Sequence, residues 1–257
     1  IIDDRNTPKH TPPRQDFAVR VEGPVVADMH AAVRRLWTHI AWLQFRHGWR
    51  ASRGMRLDKQ PAGDQRAAFI VRDNFRHRGD IENAYLGAIA SAQKEIVIAC
   101  AYFFPGIRFR HALCEAAARG VRVVLLLQGR VEYVLLHYAS RALYRQFLRE
   151  GIEIHEYVRS FMHAKVAVID GRWATVGSSN IDPISFLLAR EANIVVEDPE
   201  FGKQLRTSLE FALHEGAREV RPERWRPSAV ARATTWIAYG LVRALTDLTS
   251  YARGEER

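Results

Sequence analysis

The fold is constrained most by a regular alternation of short apolar runs with longer helical patterns between residues 67 and 157. Two of the runs, Glu95–Ala99 and Val121–Leu127, are almost continuously apolar, which is typical of strands buried on both faces. Helical patterns over residues 80–93, 107–119 and 132–150 separate or follow these strands. The alternation predicts an α/β fold, in which helices flank a sheet.

The same patterns predict elements on both sides of this region. A strand at Phe17–Glu22 and a helix over Val25–Phe45 are expected before it. Asp80 is expected to cap the helix that begins there. The remaining expected strands are Ala67–Arg72, Ile152–Tyr157, Met162–Ile169, Trp173–Val176 and Glu191–Glu197, and the last helix is Glu200–Leu213.

Composition excludes several classes of protein. The chain is 47% hydrophobic and 26% charged, which is typical of a folded globular protein and not of a disordered one. No uncharged apolar stretch is long enough to predict a membrane-spanning helix. Cys100 and Cys114 lack partners at metal-ligand spacing and are expected to be reduced, buried thiols. The net charge of +9 favours an anionic partner, either nucleic acid or anionic lipid headgroups.

An internal echo predicts a duplication. Residues 21–24 (VEGP) and 196–199 (VEDP) each precede a helix, and on this offset Asp16 corresponds to Glu191. The chain is therefore expected to begin inside a duplicated protein, just after a first active-site hairpin. We expect four parts: 1–46 as the tail of a first repeat, 47–66 as a linker, 67–215 as a complete catalytic repeat, and 216–257 as a basic tail with an amphipathic helix.

One spaced set of polar residues carries the chemistry. His163 and Lys165 are two residues apart on a predicted strand, so their side chains share one face. Asp170 and Gly171 form a turn signal that folds the chain back, which brings Ser178 and Asn180 near His163. An imidazole, an ammonium group and neutral donors, without a metal-ligand set, predict a phosphate as the target.

These residues receive distinct roles. Lys165, Ser178 and Asn180 are expected to bind the substrate phosphate. His163 is expected to act as a nucleophile or a general acid, with Glu191 on the next strand holding its other ring nitrogen. Asp170 is expected to close the hairpin and to fix a basic neighbour.

The sequence HAKVAVID followed by VGSSN resembles the HxKxxxxD…GSxN signature of the phospholipase D superfamily. The resemblance implies a catalytic set of His163, Lys165, Asp170 and Glu191 and a mixed sheet flanked by helices. It also implies two such motifs per active site, from one duplicated chain or from two subunits. One histidine would form a phosphohistidine and the other would protonate the leaving group, without a metal or another cofactor. Which histidine is the nucleophile is left open.

Further segments resemble the B-type bacterial cardiolipin synthases: residues 16–24, 72–74, 101–106, 127–129 and 174–183. This implies a phosphatidyltransferase that makes cardiolipin from two molecules of phosphatidylglycerol, peripherally at the cytoplasmic side of the cell membrane. The chain departs from the pattern because it carries one HxK motif, so by itself we expect little activity. It would need a missing N-terminal repeat or a second subunit. The alternatives are a phospholipase D-type hydrolase, a nuclease of the superfamily, which the aromatic loop disfavours, and an inactive lipid-binding fragment.

Three aromatic or apolar segments leave two interpretations open. Tyr102, Phe103 and Phe104 follow a buried strand and predict either a substrate pocket or a core cluster. In the tail, Ile237, Leu241, Leu245 and Leu248 share one helical face, which predicts either contact with an anionic membrane surface or packing on the domain. The same alternatives apply to the segment 34–49, which contains Trp37, Trp42, Phe45 and Trp49.

Overall fold

One mixed sheet of eight strands organises the part of the chain that the computed structural model describes, which is residues 12–43, 60–74, 76–223 and 228–251. The strands are β1 (Arg66–Arg72), β2 (Glu95–Cys100), β3 (Arg122–Gln128), β4 (Glu153–Tyr157), β5 (Lys165–Ile169), β6 (Trp173–Gly177), β7 (Glu191–Glu197) and β8 (Ala217–Glu219). Their order across the sheet is β1-β7-β6-β5-β2-β3-β4-β8. The β2–β3 and β3–β4 pairs are parallel, and the others are antiparallel.

The described helices flank this sheet. They are α1 (Val25–Leu43), α2 (Asp80–Ser91), α3 (Ile107–Ala118), α4 (Val134–Ala142), α5 (Tyr144–Arg149), α6 (Pro183–Leu187), α7 (Pro199–Gly216) and α8 (Ala229–Tyr251). The helices α6 and α7 begin where an aspartate precedes a proline. Asp182 and Asp198 accept hydrogen bonds from the first backbone N–H groups of α6 and α7, and the prolines need no such acceptor.

Alternating side chains of the central strands form two cores, one on each face of the sheet. Ile96, Ile98 and Leu125 point into the core that α2, α3, α4, α5 and α8 cover. Val97 and Leu126 point into the opposite core, which α7 covers. Because β2, β3 and β5 are buried on both faces, they read in the sequence as continuous apolar runs. The predicted α/β class with helices on both faces is confirmed.

Several predicted boundaries are wrong. Residues 16–22 do not form a strand. In this segment Gln15 alone forms a bridge, with Met162, and the backbone N–H of Phe17 donates to the Asp16 carboxylate instead of to a neighbouring strand. The helix expected over 132–150 is two helices separated at Leu143. Met162–Ala164 lie outside the strand that begins at Lys165.

Other local details also differ from the sequence predictions. The N-cap of α2 is Gly79, and Asp80 instead pairs with His77. The sequence patterns missed the short elements α6 and β8.

The predicted division into four parts stays a prediction. Most of the expected linker (47–66) lies outside the described residues, because the structure does not describe residues 44–59. Helix α1 packs against β1, and β8 pairs with β4, so the first residues of the expected tail belong to the sheet. No helix in the described ranges combines the length and the apolar character that crossing a membrane requires.

Candidate active site

The predicted motif residues lie at one edge of the sheet. There β2, β3 and β6 end, and β5 and β7 begin. Lys165 at the start of β5 lies opposite Cys100 at the end of β2. Ser178 follows β6, and Glu191 opens β7. The antiparallel register of the hairpin therefore brings the two halves of the motif together, as the sequence predicted.

His163 is held by an acid 147 positions away in the chain. Its Nδ1 lies 3.1 Å from Oδ2 of Asp16. A backbone bridge places this segment, because Gln15 donates to the carbonyl of Phe161 and accepts from the N–H of His163, both at 2.8 Å. Since an ionised carboxylate only accepts, a neutral imidazole here carries its proton on Nδ1, which leaves the lone pair of Nε2 available.

The charge of Asp16 is stabilised at this contact. Burial opposes ionisation, but the hydrogen bond from His163, a second one from the Phe17 N–H and the nearby charge of Lys165 lower the pKa of Asp16 overall. An ionised Asp16 is thus the expected partner of His163 at neutral pH. The sequence assigned this position to Glu191, and the structure pairs His163 with Asp16 instead.

Glu191 occupies a different part of the site. It accepts a short hydrogen bond from Oγ of Ser178, and the same hydroxyl accepts from the backbone N–H of Ala192 at 3.1 Å. Burial raises the pKa of Glu191, more than its hydrogen bonds lower it. Ser178 and Glu191 are therefore adjacent, whereas the orienting contact to His163 comes from elsewhere.

Lys165 is the buried cation of the site. Its side chain is 6% exposed, and its ammonium group donates to the carbonyl of His163 at 2.7 Å. The same nitrogen lies 5.9 Å from the centre of the Tyr102 ring, within range of a cation–π contact. Burial lowers the pKa of Lys165, against the nearby carboxylates of Asp16, Glu191 and Glu132.

Tyr102 connects the lysine to the N-terminal segment, a contact that the sequence did not reveal. Its hydroxyl donates to one oxygen of Glu132 at 2.6 Å, and Arg14 donates to the other at 2.9 Å. The backbone N–H of Tyr102 donates to Oδ1 of Asn180 at 3.3 Å. Glu132 thus fixes both the ring beside Lys165 and, through Arg14, the N-terminal segment that contains Asp16.

The aromatic run after β2 divides between site and core. Phe103 and Phe104 are 3% and 2% exposed, and they pack against Phe147 and Tyr239. Tyr102 contacts Lys165 and Asn180, whereas Phe103 and Phe104 lie in the core, so a substrate pocket that includes all three rings stays a prediction. Phe103 does border a small internal cavity of about 30 Å³ that Tyr102 also lines.

Asp170 lies at the opposite end of the hairpin. It adopts a positive φ of 52°, as does Gly171 at 62°, the conformation of a tight hairpin turn. Its carboxylate accepts from three backbone N–H groups, those of Gln93, Lys94 and Glu95, at 2.8–2.9 Å. These hydrogen bonds outweigh burial and lower the pKa of Asp170. Asp170 closes the hairpin as predicted, but it fixes the backbone before β2 rather than a basic side chain.

The helices α1 and α8 expose apolar side chains. Helix α8 packs on α4 through Ala238 and Val242, which are buried, whereas Ile237, Leu241 and Leu245 are more than half exposed. One face of α8 thus packs on the domain and the other is exposed, so both predicted interpretations of the tail remain open. In α1, Trp42 is 76% exposed. The side chain of Leu248 and residues Phe45 and Trp49 lie outside the described part.

The described residues contain no cluster of three or more His, Cys, Asp or Glu side chains suited to a metal ion.

Comparison with known proteins identifies the region that carries the site. The family model described as "Cardiolipin synthase, PLD-like domain" matches residues 85–212. Cardiolipin synthase B of Shigella flexneri is 41% identical over 208 residues, which cover 80% of this chain and 49% of that protein. A probable cardiolipin synthase of Bacillus subtilis is 32% identical over 207 residues, or 78% of this chain and 39% of the relative. The chain thus spans about half the length of the curated relatives it matches.

Solved structures agree with the fold. The phosphatidylserine synthase of Haemophilus influenzae aligns with a TM-score of 0.57 at 13% identity, covering 71% of this chain and 46% of that one. A phospholipase D family member, Nuc, from Salmonella typhimurium aligns with a TM-score of 0.51 at 21% identity, covering 62% and 99%. At these identities the likeness concerns the fold alone.

Proposed function

This chain belongs to the phospholipase D superfamily, as its motif predicted, and on that premise we propose that it supplies one HxK motif of a phosphatidyltransferase that joins two phosphatidylglycerol molecules into cardiolipin. The observation that carries the proposal is the contact between Nδ1 of His163 and Asp16, 3.1 Å apart, beside the buried ammonium group of Lys165. With Nδ1 engaged by Asp16, Nε2 would act as a nucleophile or as a proton donor, and Lys165 would supply the positive charge that binds phosphate oxygens.

The first step is attack of one motif's histidine on the phosphorus of the donor lipid. The bond from phosphorus to the glycerol oxygen breaks, and the other motif's histidine protonates that oxygen, so glycerol leaves and a phosphatidyl-histidine remains. The carboxylate of Asp16 stabilises the imidazole of His163 as it gains positive charge. Lys165 and the side-chain amide of Asn180 stabilise the charge that develops on the non-bridging oxygens, and Ser178 joins them when its hydroxyl turns from Glu191 to the phosphate.

The second step is attack of a glycerol hydroxyl of the acceptor lipid on the same phosphorus. The histidine that protonated glycerol accepts the hydroxyl proton, and the phosphorus–nitrogen bond breaks. One phosphodiester is consumed and one is formed, so the transfer requires no ATP. Water in place of the lipid hydroxyl would give phosphatidic acid instead.

The second motif would complete the site at Glu191. On the offset of the sequence echo, Glu191 corresponds to Asp16, and Asp16 already holds His163. Glu191 is then the acid for the other motif's histidine, supplied by another repeat of a longer chain or by a second subunit. The basic chain, with a net charge of +9, would act peripherally on an anionic membrane, at its cytoplasmic side.

Product analysis tests the proposal. Labelled phosphatidylglycerol vesicles are incubated with the chain, and with the chain extended by whatever its gene encodes before Ile1. Cardiolipin and glycerol are the expected products of the extended protein, with little of either from the chain alone, and His163→Ala in the extended protein is expected to abolish both. Full cardiolipin output from His163→Ala would refute the assignment. Phosphatidic acid as the main product would identify a hydrolase, and cleavage of DNA without lipid turnover would identify a nuclease.

A further inference from the structure

An open groove runs between α1 and β1 and reaches the candidate site. Its volume is about 740 Å³, and Ser178 and Glu191 line one end of it. Apolar side chains from both elements form its walls: Ala32, Val33, Leu36, Phe69 and Val71. A second cavity of about 540 Å³ shares part of this lining and extends toward α2 at Asn83 and Ala84. The apolar path thus leads away from the motif residues along α1, which has 19 residues and a length of about 28 Å.

The groove carries positive charge beside its apolar walls. Arg35, Arg76 and Arg190 line it, and none of the three side chains forms an ion pair within the described part of the chain. The two carboxylates that line the same groove are already hydrogen-bonded: Glu191 accepts from Ser178, and Asp73 accepts from the backbone N–H groups of Arg76 and His77. The guanidinium groups are therefore available to an anionic ligand.

This combination fits one class of ligand. Guanidinium groups bind phosphate oxygens in a bidentate fashion, whereas a free phosphate would leave the apolar wall beside them exposed to water. An anionic phospholipid carries both parts, a phosphodiester and an acyl chain. Burial of the chain against Val33, Leu36 and Phe69 would add hydrophobic stabilisation in proportion to the area covered.

We propose that this groove is the subsite for the acceptor phospholipid, with its phosphate on Arg35 and Arg190 and an acyl chain along α1. The inference rests on the proposed function, since only a transfer between two lipids requires a second phosphate position. The donor phosphorus must lie at His163 and Lys165, which do not line the groove. The groove shares Ser178 and Glu191 with the candidate site, so the headgroup hydroxyl of a lipid bound there would reach the reacting phosphate.

Binding of a soluble lipid to the full chain tests the subsite. Dihexanoyl phosphatidylglycerol, kept below its micelle concentration, is titrated against the wild type, R35Q/R190Q and R145Q/R149Q. The last variant removes two exposed arginines of α5 and matches the change in net charge. We expect R35Q/R190Q to bind at least tenfold more weakly, the effect of losing one charge-assisted contact, and R145Q/R149Q to bind as the wild type does.

A second pair of variants tests the apolar wall. Leu36→Ser is expected to weaken binding of dihexanoyl phosphatidylglycerol severalfold and to leave binding of glycerophosphoglycerol, which lacks acyl chains, unchanged. Phe211→Ser is the matched control, because this side chain is 64% exposed on α7. All of the substituted side chains are exposed, and circular dichroism would verify that each variant is folded.

The outcomes separate the subsite from the proposed function. Unchanged lipid binding by R35Q/R190Q would overturn the subsite, as would a change of oligomeric state in Leu36→Ser without a change in lipid binding, which would assign this face to a protein partner. Arginine-dependent binding that persists in Lys165→Gln would support a subsite distinct from the donor position. If that binding were present but the protein extended before Ile1 formed no cardiolipin, the proposed function would fail and the lipid site would stand.

Discussion

Two segments with the same sequence pattern, 16–24 and 191–199, adopt different structures. Glu191–Glu197 is a full strand with neighbours on both sides, β1 and β6. Residues 16–22 form no strand, and Gln15 alone pairs, with Met162. Both segments nevertheless bring an acid to the same site, Glu191 to Ser178 and Asp16 to His163. The shared pattern therefore determines where the acid lies, whereas the available backbone partners decide whether a strand forms.

The two acids also differ in how readily their carboxyl groups ionise. The imidazole partner lowers the pKa of Asp16 in spite of burial, whereas burial dominates at Glu191 and raises its pKa. A buried carboxylate without a cationic partner is unfavourable unless it is protonated or fully hydrogen-bonded. In the proposed two-motif site, His163 pairs with Asp16, and the histidine of the other motif would pair with Glu191.

The helices that follow the two segments differ in packing. Helix α7 buries Gly202, Leu205, Leu209 and Ala212 against the sheet, whereas no described side chain of α1 is fully buried. On the offset of the echo, Gly202 corresponds to Ala27. A glycine is needed only in α7, where the helix approaches the backbone of the hairpin turn at Gly171. Because α1 packs less closely on the sheet than α7 does, an open groove of about 740 Å³ remains beside it.

Gly202→Ala tests this difference and should have the largest effect. The added methyl group would overlap the carbonyl of Gly171, which is backbone and cannot rotate away. We expect a loss of about 3 kcal/mol in the free energy of unfolding, measured by urea denaturation. Gly87→Ala is the control, because its methyl group would meet open space in α2 and should stabilise that helix by up to about 1 kcal/mol. Equal stability of the two variants would contradict the close approach.

Asp16→Asn tests the role of the first acid. The amide keeps the shape but loses the charge that stabilises a positively charged His163. In the protein completed by the second motif, we expect kcat for cardiolipin formation to fall about 100-fold with KM little changed. The pH dependence of the residual kcat should change, and Asp16→Glu should restore part of it. An equal loss in Asp16→Glu, with an unaltered pH profile, would indicate a structural role only.

The hairpin and its neighbours were predictable because their signals are local. Buried strands read as apolar runs, the Asp170–Gly171 turn has a distinctive residue pair, and the hairpin register follows from that turn. Strand geometry also shows why Asp170 lies away from them. Five strand residues at about 3.3 Å each separate the two ends of the hairpin. The residues of one sequence motif therefore lie at opposite ends of β5.

Contacts between distant segments were not predictable in this way. The pairing of Asp16 with His163 spans 147 positions, and neither residue has a local signal for it. The echo did align Asp16 with Glu191, so a signal for an acid existed, but not for which histidine it holds. The Arg14–Glu132–Tyr102 network and the burial of Phe103 and Phe104 depend on tertiary packing that no periodicity records.

Glu191→Gln should have a smaller and opposite effect on stability. Because burial penalises the charged form of Glu191, a neutral amide that still accepts from Ser178 should raise the free energy of unfolding by up to about 1 kcal/mol at neutral pH. Thermal unfolding of Glu191→Gln and Asp16→Asn in parallel measures whether each substitution stabilises or destabilises the protein. Destabilisation by Glu191→Gln would show that the carboxylate charge is already compensated in this chain and would remove the need for a second histidine.

The pH dependence of these two variants should separate them, although the energies are below about 1 kcal/mol because both groups are partly exposed. The folded-state pKa of Glu191 is raised, so the advantage of Glu191→Gln is full above that value and disappears as the pH falls toward the ordinary value of 4.5. The pKa of Asp16 is lowered, so its contribution is full above the ordinary value of 3.8 and is lost only as the pH falls below it. Urea unfolding of each variant against the wild type, from pH 7 to about pH 3, should therefore give two curves that bend in different ranges. A common bend would mean that the two acids share one environment, and the contrast between the two halves of the site would be lost.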